Sequence, residues 1–215
     1  LRGHEPNRHD REGNVLHNSS NFIAGDITSV DVTDPFKILV YYRDFGQIDI
    51  LDNTLSPTAQ PILLQSLGLE LSTLVCRSYN NAIWVYDPTN FEIVRITENM
   101  QIAERTGNIN QVTGYDINPD RMCEVDNNLF LSDPQTGIIV FDRYGTYFRT
   151  IEVKGIRSFQ VYANKISFLH DGKLSIYDTR KLLTSELASG LDQVLDVRIA
   201  YDLNPQRMYL LDKSA

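Results

Sequence analysis

The chain has 215 residues, 42% of them hydrophobic, and its 28 acidic against 20 basic residues leave a formal net charge of −8. That balance, with no stripe of Lys and Arg, excludes a nucleic-acid surface built on phosphate neutralisation and disfavours adhesion to anionic lipid. No run of about 18 apolar residues occurs, so neither a membrane-spanning helix nor direct membrane insertion is expected.

Residues 1–13 are crowded with Arg2, His4, Glu5, Asn7, Arg8, His9, Asp10, Arg11 and Glu12, and read as a polar tail or loop. His4, His9 and His17 offer too few ligands and no fixed geometry for zinc, so no metal is assigned there. Short strands are predicted at 14–17 and 21–24. From Thr28 onward the chain becomes a series of short apolar runs separated by turn formers, and the first strands of successive units are read near Thr28, Thr73, Arg121, Ser158 and Leu195. Their spacing brackets the roughly 40 to 50 residues of a propeller blade.

In the second unit, strands are predicted over 73–78, 82–87, 92–97 and 101–106, separated by Asn80-Asn81, Asp87-Pro88-Thr89-Asn90 and Glu98-Asn99. Asn tolerates positive φ, which suits a tight turn between antiparallel strands. Cys76 and Cys123 each stand four residues before an Asn-Asn pair, so the turns that follow them are taken as equivalent. Asp133-Pro134-Gln135-Thr136-Gly137 then fills the place of 87–90, and Asp171-Gly172 does so in the fourth unit. Proline between the runs supports these boundaries, because it would break a strand ladder.

A phrase recurs through the series: an apolar run ending in an aromatic and an aspartate, as in Ile83-Trp84-Val85-Tyr86-Asp87, Ile139-Val140-Phe141-Asp142 and Leu174-Ser175-Ile176-Tyr177-Asp178. Looser copies are Ile48-Asp49-Ile50-Leu51-Asp52 and Met208-Tyr209-Leu210-Leu211-Asp212. The fold class is therefore all-β, a β-propeller of about five visible four-stranded repeats in one domain over 1–215, the last repeat incomplete. Either the strands at 14–17 and 21–24 complete the last repeat, or the chain represents part of a longer, six-bladed parent. Trp84, Phe130, Phe168 and Tyr209 occupy related places in second strands and are expected to pack between blades.

Catalytic signals are sparse. Two cysteines in a chain of this size do not make a disulfide framework, and Cys76 and Cys123 read as free thiols. Asp31, Glu124 and Asp196 fall on first strands, where a propeller glycosidase would place paired carboxylates for acid-base or nucleophilic work. The structural alternative is that these acids hydrate a channel or pair with Arg77, Arg121 and Arg157. There is no Gly-x-Ser-x-Gly, phosphate loop or His-Glu-x-x-His, and the aspartate-rich turns lack the alternating oxygen ligands of an EF-hand. No catalytic residue, cofactor or metal is assigned. The function read from the residues is non-enzymatic, acting through protein contacts. The alternative is a glycosidase or small-ligand sensor using acids around a central opening.

The stretch 25–42, from Gly25-Asp26-Ile27-Thr28 to Ile38-Leu39-Val40-Tyr41-Tyr42, followed by Leu51-Asp52-Asn53-Thr54-Leu55, resembles a family of small envelope proteins of Bacteroidota. Cys76-Arg77-Ser78-Tyr79-Asn80-Asn81, Asn118-Pro119, Phe141-Asp142-Arg143-Tyr144-Gly145-Thr146-Tyr147 and the run from Lys154 to Val161 extend the likeness, which covers about Gly25 to Asp178. Members of the family carry a signal peptide and a further N-terminal repeat, and neither appears in this sequence.

The resemblance implies a periplasmic propeller without enzymatic motifs. It further implies a partner that is an outer-membrane translocon barrel or another envelope protein, since the family includes the plug closing the periplasmic side of the type 9 secretion translocon. Size scaling gives a radius of gyration of roughly 17 Å for a chain of this length, enough to obstruct a protein-wide pore. The protein-binding residues expected, on loops of one rim, are Tyr42 and Phe45 beside Gly46, Tyr144 and Tyr147 beside Gly145, and Asp87 and Asn90 of the 87–90 turn, with the core as the alternative place for Tyr42 and Phe45.

Overall fold

The computed structural model describes residues 6–10, 12–19, 25–200 and 207–212. The chain divides into two compact units, Leu1–Asn108 and Ile109–Ala215. The strand predicted at 21–24 lies outside the described residues.

The first unit begins with a hairpin of β1 (Asn7–His9) and β2 (Val15–Asn18). The polar segment before Asn14 is thus part strand, because Asp10 closes the turn with its carboxylate, accepting the amides of Glu12 and Asn14. A side-chain acceptor of this kind holds a polar loop tightly enough for its flanks to pair.

Next come two antiparallel four-stranded meanders. One holds β3 (Ser29–Asp31), β4 (Ile38–Tyr42), β5 (Gln47–Leu51) and β6 (Ile62–Leu63). The other holds β7 (Leu74–Arg77), β8 (Ile83–Asp87), β9 (Glu92–Ile96) and β10 (Ile102–Arg105). Alternation along β4 explains their packing. Leu39 and Tyr41 join Val75, Ile83, Val85 and Val94 in a core between the sheets, while Ile38, Val40 and Tyr42 pack with Leu51 and Leu55. Both faces of β4 are covered, which is why the run Ile-Leu-Val-Tyr-Tyr is buried throughout.

The second unit opens with the short helix α1 (Ile109–Thr113). It continues with a meander of β11 (Arg121–Val125), β12 (Asn128–Asp133), β13 (Gly137–Asp142) and β14 (Tyr147–Glu152). A second meander holds β15 (Ile156–Tyr162), β16 (Lys165–His170), β17 (Lys173–Asp178) and β18 (Leu183–Ala188). Phe130, Ile138, Val140, Phe159, Ile166 and Phe168 fill the space between these sheets. A two-stranded sheet of β19 (Val194–Ala200) and β20 (Arg207–Asp212) follows, with Val194, Val197 and Ile199 packed on Leu169 and Leu174.

Tight turns account for the strand boundaries. Asn80 and Asn81 both have positive φ, as do Asp126 and Asn127, so the turn after Cys123 is centred one residue earlier than the Asn-Asn pair suggested. Gly137 sits at φ 125, and a Cβ there would stand 2.2 Å from the carbonyl oxygen of Ile151, so glycine is required where β13 starts.

The recurrent aspartate has one local role and more than one place in the repeat. Asp87 and Asp133 end second strands, whereas Asp142 and Asp178 end third strands. Each carboxylate accepts amides two to four residues ahead: Thr89 at 2.8 Å for Asp87, Gln135 and Thr136 for Asp133, Tyr144 and Thr146 for Asp142, Arg180 and Lys181 for Asp178. The phrase is an Asx turn reused at different corners, not a marker of one blade position.

Candidate interaction surface

The six residues expected to bind protein fall into three environments. Tyr42 is buried, 2% exposed within the second core of its unit, so it presents no ring at the surface. Asp87 is 4% exposed and is consumed by its own turn, accepting from Thr89 N and from Asn90 Nδ2 at 2.7 Å. Asn90 is exposed, but its side chain serves that same turn. Tyr147 is half-buried edge-on against Phe141, with its hydroxyl 3.0 Å from Thr150 Oγ1. Phe45 and Tyr144 are the exposed rings, at 58% and 61%.

These positions fall on two kinds of turn. Phe45 lies in the single 3-10 turn between β4 and β5, and Asp87–Asn90 joins β8 to β9; both are turns between second and third strands. Tyr144 lies between β13 and β14, the third and fourth strands of their sheet. Successive turns of a meander alternate between its two ends, so each sheet presents the two kinds of turn on opposite edges.

The strip from Arg143 to Arg149 has the composition of an interaction surface. Tyr144 on the turn and Phe148 on β14 are exposed at 61% and 66%. The Arg143 guanidinium lies 5.4 Å from the Tyr144 ring centroid, and that of Arg149 lies 5.4 Å from Phe148 and 5.7 Å from Tyr177. Arg149 Nε is buried with no hydrogen-bond acceptor. Guanidinium groups beside ring faces make cation–π contacts, which hold these side chains together. Asp142 fixes the turn by accepting from Tyr144 N at 2.9 Å and Thr146 N at 2.8 Å. The exposed Phe148 was not foreseen: Tyr147 pairs with Phe141 and Arg149 with Val140, so Phe148 is the extra residue at a bulge in β14, where alternation is interrupted.

The three first-strand acids do structural work where their contacts are defined. Asp31 accepts from Thr33 N, Thr33 Oγ1 and, at 2.9 Å, the backbone N–H of Arg77, tying β3 to β7. Asp196 lies 3.3 Å from Arg121 Nη1 and 3.2 Å from Arg198 Nη2. Glu124 is half-buried on β11, opposite Leu129. The pairing of Asp196 with Arg121 agrees with the expected ion pair. Asp31 instead uses the amide of Arg77, whose guanidinium is 3.8 Å from Asp34. The side chain of Arg157 lies outside the described residues.

Cys76 is buried and Cys123 half-buried. Among the described residues, no group of three or more His, Cys, Asp or Glu side chains is arranged to hold a metal ion. No described helix is long and apolar enough to cross a membrane.

No protein-family model matches the chain, and no curated protein matches it in sequence. Its structure is similar to several solved ones. A chain of the nidogen–laminin complex superposes with a TM-score of 0.70 at 12% identity, over 98% of this chain and 82% of that one. The WD40 domain of Neurospora crassa Pan2 gives 0.64 at 9% identity, over 88% of this chain and 60% of that one. A catalytically inactive virginiamycin B lyase from Staphylococcus aureus, crystallised with quinupristin, gives 0.66 at 14%, over 96% and 70%. The chain thus spans 60% of the Pan2 domain's length. Together with the consecutive four-stranded meanders, these similarities establish an all-β fold of β-propeller type. One such fold serves both an enzyme and components of protein complexes, so function has to be argued from the surface.

Proposed function

We propose that this protein is a non-enzymatic propeller that binds protein through the Arg143–Arg149 strip, and that it acts in the periplasm as a plug on the type 9 secretion translocon. The observation that carries the binding reading is the exposure of Tyr144 and Phe148 beside two arginines. Tyr and Arg are the residue types that dominate interface energies when a partner desolvates them. The hydrogen bonds of Asp31 and the ion pairs of Asp196 support a structural role for acids that a glycosidase would need free. The periplasmic setting and the barrel partner rest on the family resemblance, which includes the stretch from Phe141 to Tyr147.

The test is recovery of partners from envelope membranes with the parent and with the double variant Tyr144→Ser, Phe148→Ser. A barrel protein recovered with the parent and lost with the variant, at unchanged melting temperature, is the expected result. Equal recovery would remove the strip from the interface. The triple variant Asp31→Asn, Glu124→Gln, Asp196→Asn separates the classes: glycan hydrolysis by the parent that disappears in this variant would replace the binding reading with an enzymatic one.

A further inference from the structure

A groove of about 710 Å³ runs along the first unit between its two meanders, and the exposed aromatic strip of the second unit has no part in it. Its origin is the shortness of β6. Only Gln47 and Ile48 of β5 pair with that strand, so the ladder stops before Ile50. Thr58 comes back to Ile50, its amide and hydroxyl both donating to that residue's carbonyl oxygen at 2.9 and 3.0 Å, and the chain between 58 and 61 forms one wall. Ile50, Ile62 and Met100 are half-exposed at the edge of a core that includes Ile83, which gives the groove an apolar floor.

One end is polar and carries fixed cations. Arg77 has a side chain only 11% exposed, and its Nη1 donates to the carbonyl oxygen of Lys37 at 2.6 Å. Its Nη2 is less well served: Asn81 Oδ1 is 3.5 Å away and Asp34 Oδ2 3.8 Å. Lys37 Nζ donates to Asn81 Oδ1 at 2.9 Å and stands 3.8 Å from Glu98, whose side chain is 63% exposed. The charged groups lining the groove are therefore Lys37, Arg77 and Glu98, with the carboxylate of Asp34 behind Arg77 at 3.8 Å. Asp31 is already committed to the backbone N–H of Arg77.

We propose that this groove is a binding site for an amphipathic monocarboxylate: an unbranched apolar body lies over Ile50, Ile62, Ile83 and Met100, and its carboxylate accepts from Arg77 Nη2 and Lys37 Nζ. The volume falls within the 300 to 1,000 Å³ typical of small-molecule sites, which combine apolar walls with a few oriented polar groups. An ionised acceptor improves on the long contacts that Arg77 now makes, because charge-assisted hydrogen bonds are about twice as strong as neutral ones. A cationic head would meet Lys37 and Arg77, and a neutral head would leave that gain unused.

Decanoate, below its micellar concentration, is titrated into the purified chain by calorimetry and by methyl NMR, with decanol and decyltrimethylammonium as comparators. The expected result is saturable binding of decanoate with shifts concentrated at the methyls of Ile50, Ile62, Ile83 and Met100, and binding of both comparators at least about tenfold weaker. Arg77→Gln should weaken decanoate about ten- to a hundredfold. Should that variant melt early, Lys37→Gln at the more exposed cation decides, with an expected loss of about three- to tenfold. Equal affinity for decanol, shifts scattered elsewhere, no saturable binding, or a folded variant with parental affinity would each overturn the proposal. The experiment needs no partner protein, so its outcome is independent of the translocon reading.

Discussion

Replacing Trp84 and Tyr209 by Ala, one at a time, asks how far a shared place in the repeat translates into a shared burden of stability. Both lie on second strands, yet Trp84 is 0% exposed and Tyr209 is 54% exposed. Trp84 sits in mid-ladder on β8, opposite Cys76 on β7 and Arg95 on β9. The second strands β4, β8, β12 and β16 each lie between two hydrogen-bonded neighbours, whereas among the described residues β20 pairs with β19 alone, and Tyr209 is open. Truncating a fully buried Trp removes its transfer energy and leaves a cavity, about 3 to 5 kcal/mol together. For a chain of this size that is a fall in melting temperature of roughly 6 to 20 °C. Tyr209→Ala should cost about 0.5 kcal/mol, as a surface change does. Melting is followed by far-UV circular dichroism, because Trp84 is the only tryptophan and its fluorescence vanishes with it. A Trp84→Ala variant melting within 2 °C of the parent, or equal losses for the two variants, would refute this view of the sheets.

Tyr41 and Tyr42 are pushed from 10.0 up to about 12, in both cases mainly by burial, so the native state resists their ionisation. The stability this represents is complete below pH 10.0 and is lost as pH rises toward about 12; tyrosinate absorbance should therefore lag in the folded protein, with Tyr41→Phe, Tyr42→Phe flattening the alkaline loss. Gly137→Ala should cost at least about 2 kcal/mol in urea unfolding, because φ 125 and the carbonyl of Ile151 both oppose a Cβ. Asp142→Ala should cost about 1 kcal/mol by the same assay and loosen the Tyr144 turn, while Asp142→Asn keeps an acceptor and most of the stability.

Local signals made the strands legible. In the second repeat, over 73–106, each predicted strand end lies within one residue of the observed one, since alternation and Asn, Asp, Gly and Pro turns are properties of adjacent residues. Repeat alignment was less informative, because an Asx turn serves any hairpin corner and the Asp-ending phrase recurs on second and third strands alike. For Tyr42 the choice between surface and core was not legible, for a non-local reason: the run from Ile38 to Tyr42 is covered on both faces, which its composition does not distinguish from a half-buried strand. The groove depends on where β6 stops and on how two sheets meet, neither of which is written in any one segment. Phe148 was not legible either, because it is the extra residue at a bulge in β14 and strand alternation does not run through it.

The central claim, that this propeller acts by holding a protein partner through the turn and edge strand around Tyr144, is tested most directly by photo-crosslinking in living cells. A photoreactive amino acid is placed at Tyr144 or Phe148, with the exposed Leu183 of β18 as the comparison position. Light-dependent capture of one outer-membrane barrel protein from Tyr144 and Phe148, and its absence from Leu183, is the expected result. Capture of no protein from any position, or of the same proteins equally from all three, would contradict the claim.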